Sequence, residues 1–235
     1  IDFIFLNREL GKINTVENPF VFYLKNSIFS KTYSIDLPVS YEEYIKGVIN
    51  KKFLNEFQRT KTKLLNDNSV EFLNLDVNNR ALELNNIIKR KIELLERKKI
   101  KHLLNEDMFQ LFSKLKIDDP NSIKIGILKI KDEIIAANIG FIFHKKFYYY
   151  MPVIFSEKFN KFSPGKVLIS YLIEWSINKK LNTFDFGLGD ENYKKYWSNN
   201  SENLSRYISY RNLKGFACNA LFQIYIFIKK IKMLF

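Results

Sequence analysis

Along the chain the apolar positions change period several times, and each change marks an element. Residues 1–39 carry short apolar runs broken by Asn, Pro and Gly, of which Phe20–Leu24 and Thr32–Leu37 read as strands. At Ser40 the spacing turns helical. Ser40 and Glu43 form a capping box, and Tyr44, Ile45, Val48, Ile49, Phe53 and Phe57 recur on one face, predicting a helix over about 40–65. Ser69–Leu75 alternates as a strand does, residues 78–100 form a long amphipathic helix, and a shorter helix fits 105–116. Three apolar runs follow at 122–130, 134–143 and 147–154, joined by tight turns at 131–133 and 144–146, which is an antiparallel meander. Ser163-Pro164-Gly165 then opens a helix to about Lys180, with Ser163 as its N-cap and Pro164 at the first helical position. A short strand at 183–187, a helical turn at 192–197, a strand at 204–210 and an apolar, basic helix at 213–235 complete the order. Hairpins first and helical crossovers later predict an α/β (α+β) fold, a mixed, mainly antiparallel twisted sheet flanked by helices.

Composition narrows the chemistry. At 235 residues and 46% hydrophobic the chain can build a substantial core, which excludes a disordered protein. One cysteine, Cys218, and two histidines offer neither an internal disulfide nor zinc-ligand spacing, so no metal is expected. The charge is uneven: residues 1–120 hold 20 basic and 17 acidic side chains, residues 121–235 hold 18 and 8. The second half should therefore attract anions, a phosphorylated cofactor, nucleic acid or an acidic membrane surface, and charge alone does not choose among them. Lys51, Lys52, Arg59, Lys61 and Lys63 on the 40–65 helix read as a solvated face. The chain opens at Ile1 without a signal-peptide pattern and is expected to be a fragment or trimmed chain. No apolar run is long enough to span a bilayer, and a cytoplasmic location is expected. The 213–235 helix, apolar with Lys229, Lys230 and Lys232, reads either as an interfacial helix touching the inner membrane face or as a helix packed on its own sheet.

Two segments carry candidate chemistry. Lys161–Val167 (KFSPGKV) runs into a helix N-terminus, where free backbone N–H groups and the helix dipole suit a phosphate; Gly165 permits close approach, and Lys158, Lys161 and Lys166 add charge. The bland account is a good helix cap and no more. In Phe184–Lys194 (FDFGLGDENYK) a buried strand delivers two glycines and a polar cluster. Asn192 stands where a third dinucleotide-fold glycine belongs, and no βαβ unit precedes it, so that fold is rejected. Asp185, between two Phe residues, either faces a cleft or is held by backbone N–H groups. Nothing resembles a GxSxG elbow. Of Tyr148, Tyr149 and Tyr150 at most two share one side of a strand, which favours an aromatic core strand over base stacking.

Taken together, a meander, SPG at a helix start, a helix of about four turns and a strand reading FDFGLG followed by YK resembles the GNAT acyltransferase superfamily. Within it the likeness is to cellulose-biosynthesis-type (CelD/BcsL-like) acetyltransferases, relatives of the Fem aminoacyl transferases. Tyr150, Ser163, Pro164, Gly165, Leu168, Asp185, Phe186, Gly189, Tyr193 and Lys194 carry it. The resemblance implies a GNAT-like domain over 66–212, preceded at 1–65 by the tail of an incomplete GNAT-like half with its linking helix, and followed by the 213–235 helix. It further implies transfer from acetyl-CoA or another acyl-CoA to an amine or hydroxyl of a sugar or cell-envelope precursor. Met151 and Val153 would line the pantetheine; Ser163, Gly165, Lys166 and Val167 would hold the pyrophosphate. Asp185 would orient or deprotonate the acceptor, and Tyr193 or Lys194 would donate to the oxyanion or the leaving thiolate. The alternatives are a Fem-like enzyme taking its group from aminoacyl-tRNA, and a degenerate scaffold that binds a partner or membrane.

Overall fold

The computed structural model describes residues 2–231 except 14–15, 24, 68, 77–80, 101, 103, 105–109 and 112–121. The helix expected at 105–116 falls almost wholly outside the described residues. The described chain divides into two compact units, 33–187 with 191–200, and 1–32 with 188–190 and 201–235.

In the larger unit the strands β4 (Lys25–Asp36, from Tyr33 on), β5 (Val70–Asp76), β6 (Ile123–Ile130), β7 (Glu133–Phe143), β8 (Lys146–Ile154) and β9 (Thr183–Leu188) lie in the order β4-β9-β8-β7-β6-β5. The predicted meander is present, with β5–β6, β6–β7 and β7–β8 antiparallel, whereas β9 returns parallel to β8. The expected mixed, mainly antiparallel sheet is therefore what forms. The helix expected over 40–65 forms as two, α2 (Tyr41–Gly47) and α3 (Lys51–Asp67). The break has a local cause: the Asn50 side chain accepts from the Lys52 N–H and starts a second helix after Gly47. At the first start the Ser40 hydroxyl accepts from the Glu43 N–H, as the capping box predicts. The long amphipathic helix, α4, spans Ala81–Arg97.

One core cluster joins α2 and α3 to the sheet through Tyr44, Phe53, Phe57 and Leu64, packed with Phe147, Phe184 and Trp197. Phe53 and Phe57 meet the fully buried Trp197 ring edge-on at 5.1 Å, and the Tyr44 hydroxyl donates to the Trp197 carbonyl at 2.7 Å. Each such side chain contributes about 1.5–3 kcal/mol by burial. On the other face of the sheet α4 buries Leu84, Ile87 and Ile88 against Ile125, Ile127, Ala137 and Ile139.

In the smaller unit β1 (Phe3–Leu10) pairs antiparallel with β10 (Asn200–Tyr210), and β2 (Lys12–Ile13) with β3 (Val16–Glu17). Phe20–Leu24, expected as a strand, is helical over Phe20–Tyr23 (α1). There the Asn18 side chain accepts from the Phe20 N–H and its carbonyl from the Val21 N–H, so the Asn-Pro pair caps a turn that outweighs the β preference of the aromatic run. The last helix, labelled α7 below, spans Leu213–Ile231; its Phe222 ring meets Phe5 at 4.4 Å. Among the described residues no helix is long and apolar enough to cross a membrane.

Candidate functional site

The sheet is opened by one extra residue. Between the pairs Ile139–Met151 and Gly140–Tyr149 the register slips, leaving Tyr150 as a bulge in β8. Side chains alternate faces along a regular strand, so Phe147, Tyr149, Met151 and Val153 would all point one way. The bulge breaks that sequence. Phe147 and Tyr149 stay with Phe184 and Phe186, while Met151 and Val153 join the opposite cluster under α4. Gly140 makes the bulge feasible, because a Cβ there would lie 2.3 Å from the Phe147 ring and 3.0 Å from the Tyr148 carbonyl. Beyond it β8 and β9 separate: their pairing ends at Tyr148–Asp185.

Beside the far half of β8 lies a cavity of about 500 Å³ within the larger unit. Tyr149, Pro152, Val153 and Ile154 line it from β8. Ser163, Gly165, Lys166 and Leu168 line it from the start of the next helix, α5 (Pro164–Asn178). Lys98 past α4, Asn160 in the 3-10 helix Glu157–Phe162, and Tyr193 in α6 (Asn192–Trp197) complete the wall.

Ser163 does not cap α5 with its side chain, contrary to the sequence expectation. It ends the 3-10 helix as well as starting α5, and this double duty places it in the left-handed region at φ 50° and ψ 57°. Its N–H donates to the Asn160 carbonyl, and its own carbonyl accepts from Lys166 at 2.9 Å and Val167 at 3.3 Å. With Pro164 lacking an N–H, Gly165 offers the one helix-start N–H between 164 and 167 without a backbone acceptor among the described residues. A Cβ at Gly165 would press on Ile154 at 3.1 Å.

Two phenols face the cavity. Burial first, and then the Glu191 charge, push Tyr193 up to about 12; burial pushes Tyr149 well above the usual tyrosine range. Both therefore remain protonated donors at any physiological pH. The sequence reading places Tyr149 in an aromatic core strand and not at the site; Gly140, opposite the bulge, is the available signal. Tyr150 itself is half exposed, edge-on to Phe141 at 5.1 Å.

The remaining sequence candidates lie outside the cavity wall. Asp185 accepts from the Gly187 N–H at 2.6 Å and pairs with Lys146 at 2.6 Å; left-handed Gly187, at φ 69°, makes that turn. Lys194 is buried, with its Nζ 2.8 Å from Glu191, so it neutralises the carboxylate beside Tyr193. Met151 is buried beneath α4, and the Val167 side chain is in the core. Among the described residues no group of His, Cys, Asp and Glu is placed to hold a metal.

Three carbonyls at the end of β8 and just past it are already engaged. Lys91 donates to Pro152 at 3.1 Å, and Arg90 to Ile154 at 3.4 Å and Phe155 at 3.1 Å. Burial, followed by the neighbouring Lys98 charge, pushes the Lys91 amine below its ordinary range.

Residues 51–195 match a family model described as an acetyltransferase (GNAT) domain. No match was found among curated proteins. Three solved structures share the fold. A conserved protein of unknown function from Bacteroides thetaiotaomicron is 13% identical, with 90% of this chain and 63% of that chain covered, at a TM-score of 0.55. FemX is 10% identical, with 94% and 68% covered, at 0.58. L-PGS from Bacillus licheniformis is 15% identical, with 91% and 64% covered, at 0.55. The chain thus spans roughly two thirds of each, 63% of the first.

Proposed function

Because the chain belongs to the acetyltransferase (GNAT) family, we propose that it transfers an acyl group from an acyl-CoA, acetyl-CoA being the simplest, to an amine or hydroxyl of a sugar or cell-envelope precursor, as a CelD/BcsL-like member. The observation that carries this reading is the cavity between β8 and the start of α5, lined by Gly165 and by two protonated tyrosines. Its size suits a pantetheine arm and acyl group, and Lys98 and Lys166 bring positive charge to its wall. The fit rests on apolar walls and the helix start. Pro152 has no N–H, and the Pro152 and Ile154 carbonyls are taken, so the strand edge offers few groups to pair with pantetheine amides.

The acceptor nitrogen or oxygen attacks the thioester carbonyl carbon; the new C–N or C–O bond forms, the C–S bond breaks, and the proton the acceptor loses ends on the sulfur, which leaves as the thiol. Tyr193 and Tyr149 donate to the carbonyl oxygen as negative charge grows on it. Lys194 acts through Glu191, holding that carboxylate beside α6, and Asp185 with Lys146 fixes the strand end and its turn. Calorimetric titration of acetyl-CoA tests the donor: micromolar binding is expected, lost in Gly165→Trp. Tyr193→Phe should keep that binding but lower kcat, read as thiol release with a panel of amines, by about 10²–10³-fold. Wild-type protein that does not bind acetyl-CoA would refute the donor. The engaged β8 carbonyls favour a second reading, an aminoacyl-tRNA donor as in Fem enzymes, whose binding would fall steeply with salt.

Peripheral contact with the inner membrane face belongs to the same reading. In α7, Leu213, Leu221, Ile224 and Tyr225 are exposed, and residues 213–235 hold four lysines and no acidic residue. Vesicles rich in anionic lipid should carry the chain upward in flotation, and Leu221→Asp with Ile224→Asp should leave it at the bottom. Equal flotation of both would remove membrane contact.

A further inference from the structure

Most of the basic side chains whose partners are known at the surface of the larger unit sit beside an acid: Lys46 with Glu42, Arg90 with Glu93, Arg97 with Glu157, Lys158 with Glu133. One cleft instead gathers three cations. A cavity of about 470 Å³ between α3 and the 3-10 helix is lined by Arg59, Thr60, Lys63, Lys161 and Phe162. Its three cations have no acidic partner among the described residues. Arg59 and Lys63 stand one turn apart on α3, where like charges disfavour the helix. Lys161 adds a third from the opposite wall, its Nζ held 4.9 Å from the centre of the Phe162 ring. A solvated face would not need the 3-10 helix to bring another cation against the first two. The arrangement suits a compact dianion, which neutralises three charges that otherwise repel.

The location says which dianion. Lys161 and Phe162 belong to the same turn whose neighbours, Asn160 and Ser163 to Lys166, line the donor cavity. Lys161 stands four residues before Gly165, in the short stretch of chain that contributes to both cavities.

We propose that Arg59, Lys63 and Lys161 form a phosphomonoester site, and that, on the acyl-CoA reading above, it holds the 3′-phosphate of the donor's nucleotide. The helix α3, ahead of the meander, thereby becomes part of donor recognition. The site takes a dianionic terminal phosphate and has no use for the adenine ring, since Phe162 is buried and covered by Lys161.

The probes are CoA and 3′-dephospho-CoA, titrated into the full chain and into Arg59→Glu/Lys63→Glu/Lys161→Glu. All three positions are exposed, so the variant should fold, and its circular dichroism and melting temperature check this. CoA is expected to bind about tenfold or more tightly than dephospho-CoA, with the difference abolished in the variant. Equal affinity for CoA and dephospho-CoA in the wild type would overturn this site while leaving the donor intact. A preference that survives in the variant would overturn it too. Binding of neither nucleotide would overturn the donor reading, and this assignment with it.

Discussion

Above pH 10 the protein is expected to lose stability as pH rises, the slope approaching about 5 kcal/mol per pH unit near pH 11, and to unfold cooperatively. Four tyrosines contribute most. Burial raises Tyr41, Tyr44, Tyr149 and Tyr193 above the ordinary phenol value, with Glu174 adding to Tyr41, Tyr41 to Tyr44, Tyr193 to Tyr149 and Glu191 to Tyr193. Below pH 10 both folded and unfolded chains keep these protons, and pH has no purchase on them. Between pH 10 and about 12 the unfolded chain releases them and the folded chain does not. The unfolded state then binds fewer protons, so unfolding becomes easier as pH rises, by about 1.4 kcal/mol per unit for each tyrosine. A titration followed by far-ultraviolet circular dichroism and by phenolate absorbance should show both signals breaking together. Phenolate absorbance that reached the amplitude of all thirteen tyrosines with the dichroism unchanged would show that these hydroxyls are not held in the core.

Gly140→Val is expected to be the most damaging single substitution around the site. The valine Cβ would start 2.3 Å from a Phe147 ring that is fully buried among Trp175, Phe184 and α5, and 3.0 Å from a backbone carbonyl that cannot step aside. Overpacking of this kind costs about 1–3 kcal/mol where neighbours give way, and here they have little room. The expected result is a loss of about 3 kcal/mol in denaturant unfolding, low soluble yield, and weakened donor binding, because relief requires shifting the bulge that aims Tyr149 and Pro152 into the cavity. Gly140→Ala should lie between the two. A valine variant within about 0.5 kcal/mol of wild type would show that the bulge does not depend on this close approach.

How far the site could be read from residues alone varies with how local its causes are. The SPG turn and the α5 start were visible because Pro and Gly punctuate the chain whatever surrounds them. Tyr193 was visible through its place after the FDFGLG strand. The bulge was not: a stretch reading FYYYMPVI alternates perfectly well without one, and the slip at Tyr150 is decided by Gly140 on the neighbouring strand and by the Phe147 ring between them. Val153 was placed in the cavity by expectation, and Met151 with it, yet only one of them lines the wall. The Ser163 cap failed for a similar reason, since the residue also closes a 3-10 helix that its own side chain does not announce.

Hydrophobic period and turn residues by themselves determined the strand after residue 69 and the long helix that follows it, the meander, the helix starts at Ser40 and Pro164, and hence the mixed, mainly antiparallel sheet. Each of these depends on contacts within a few residues or on which face of one element is apolar. The tertiary structure decided where β8 and β9 part, which phenols line the cavity, that Lys194 serves Glu191, and that Arg59, Lys63 and Lys161 meet across a cleft. These depend on pairs of residues far apart in the chain, whose proximity is set by packing and register and has no signature in either partner alone.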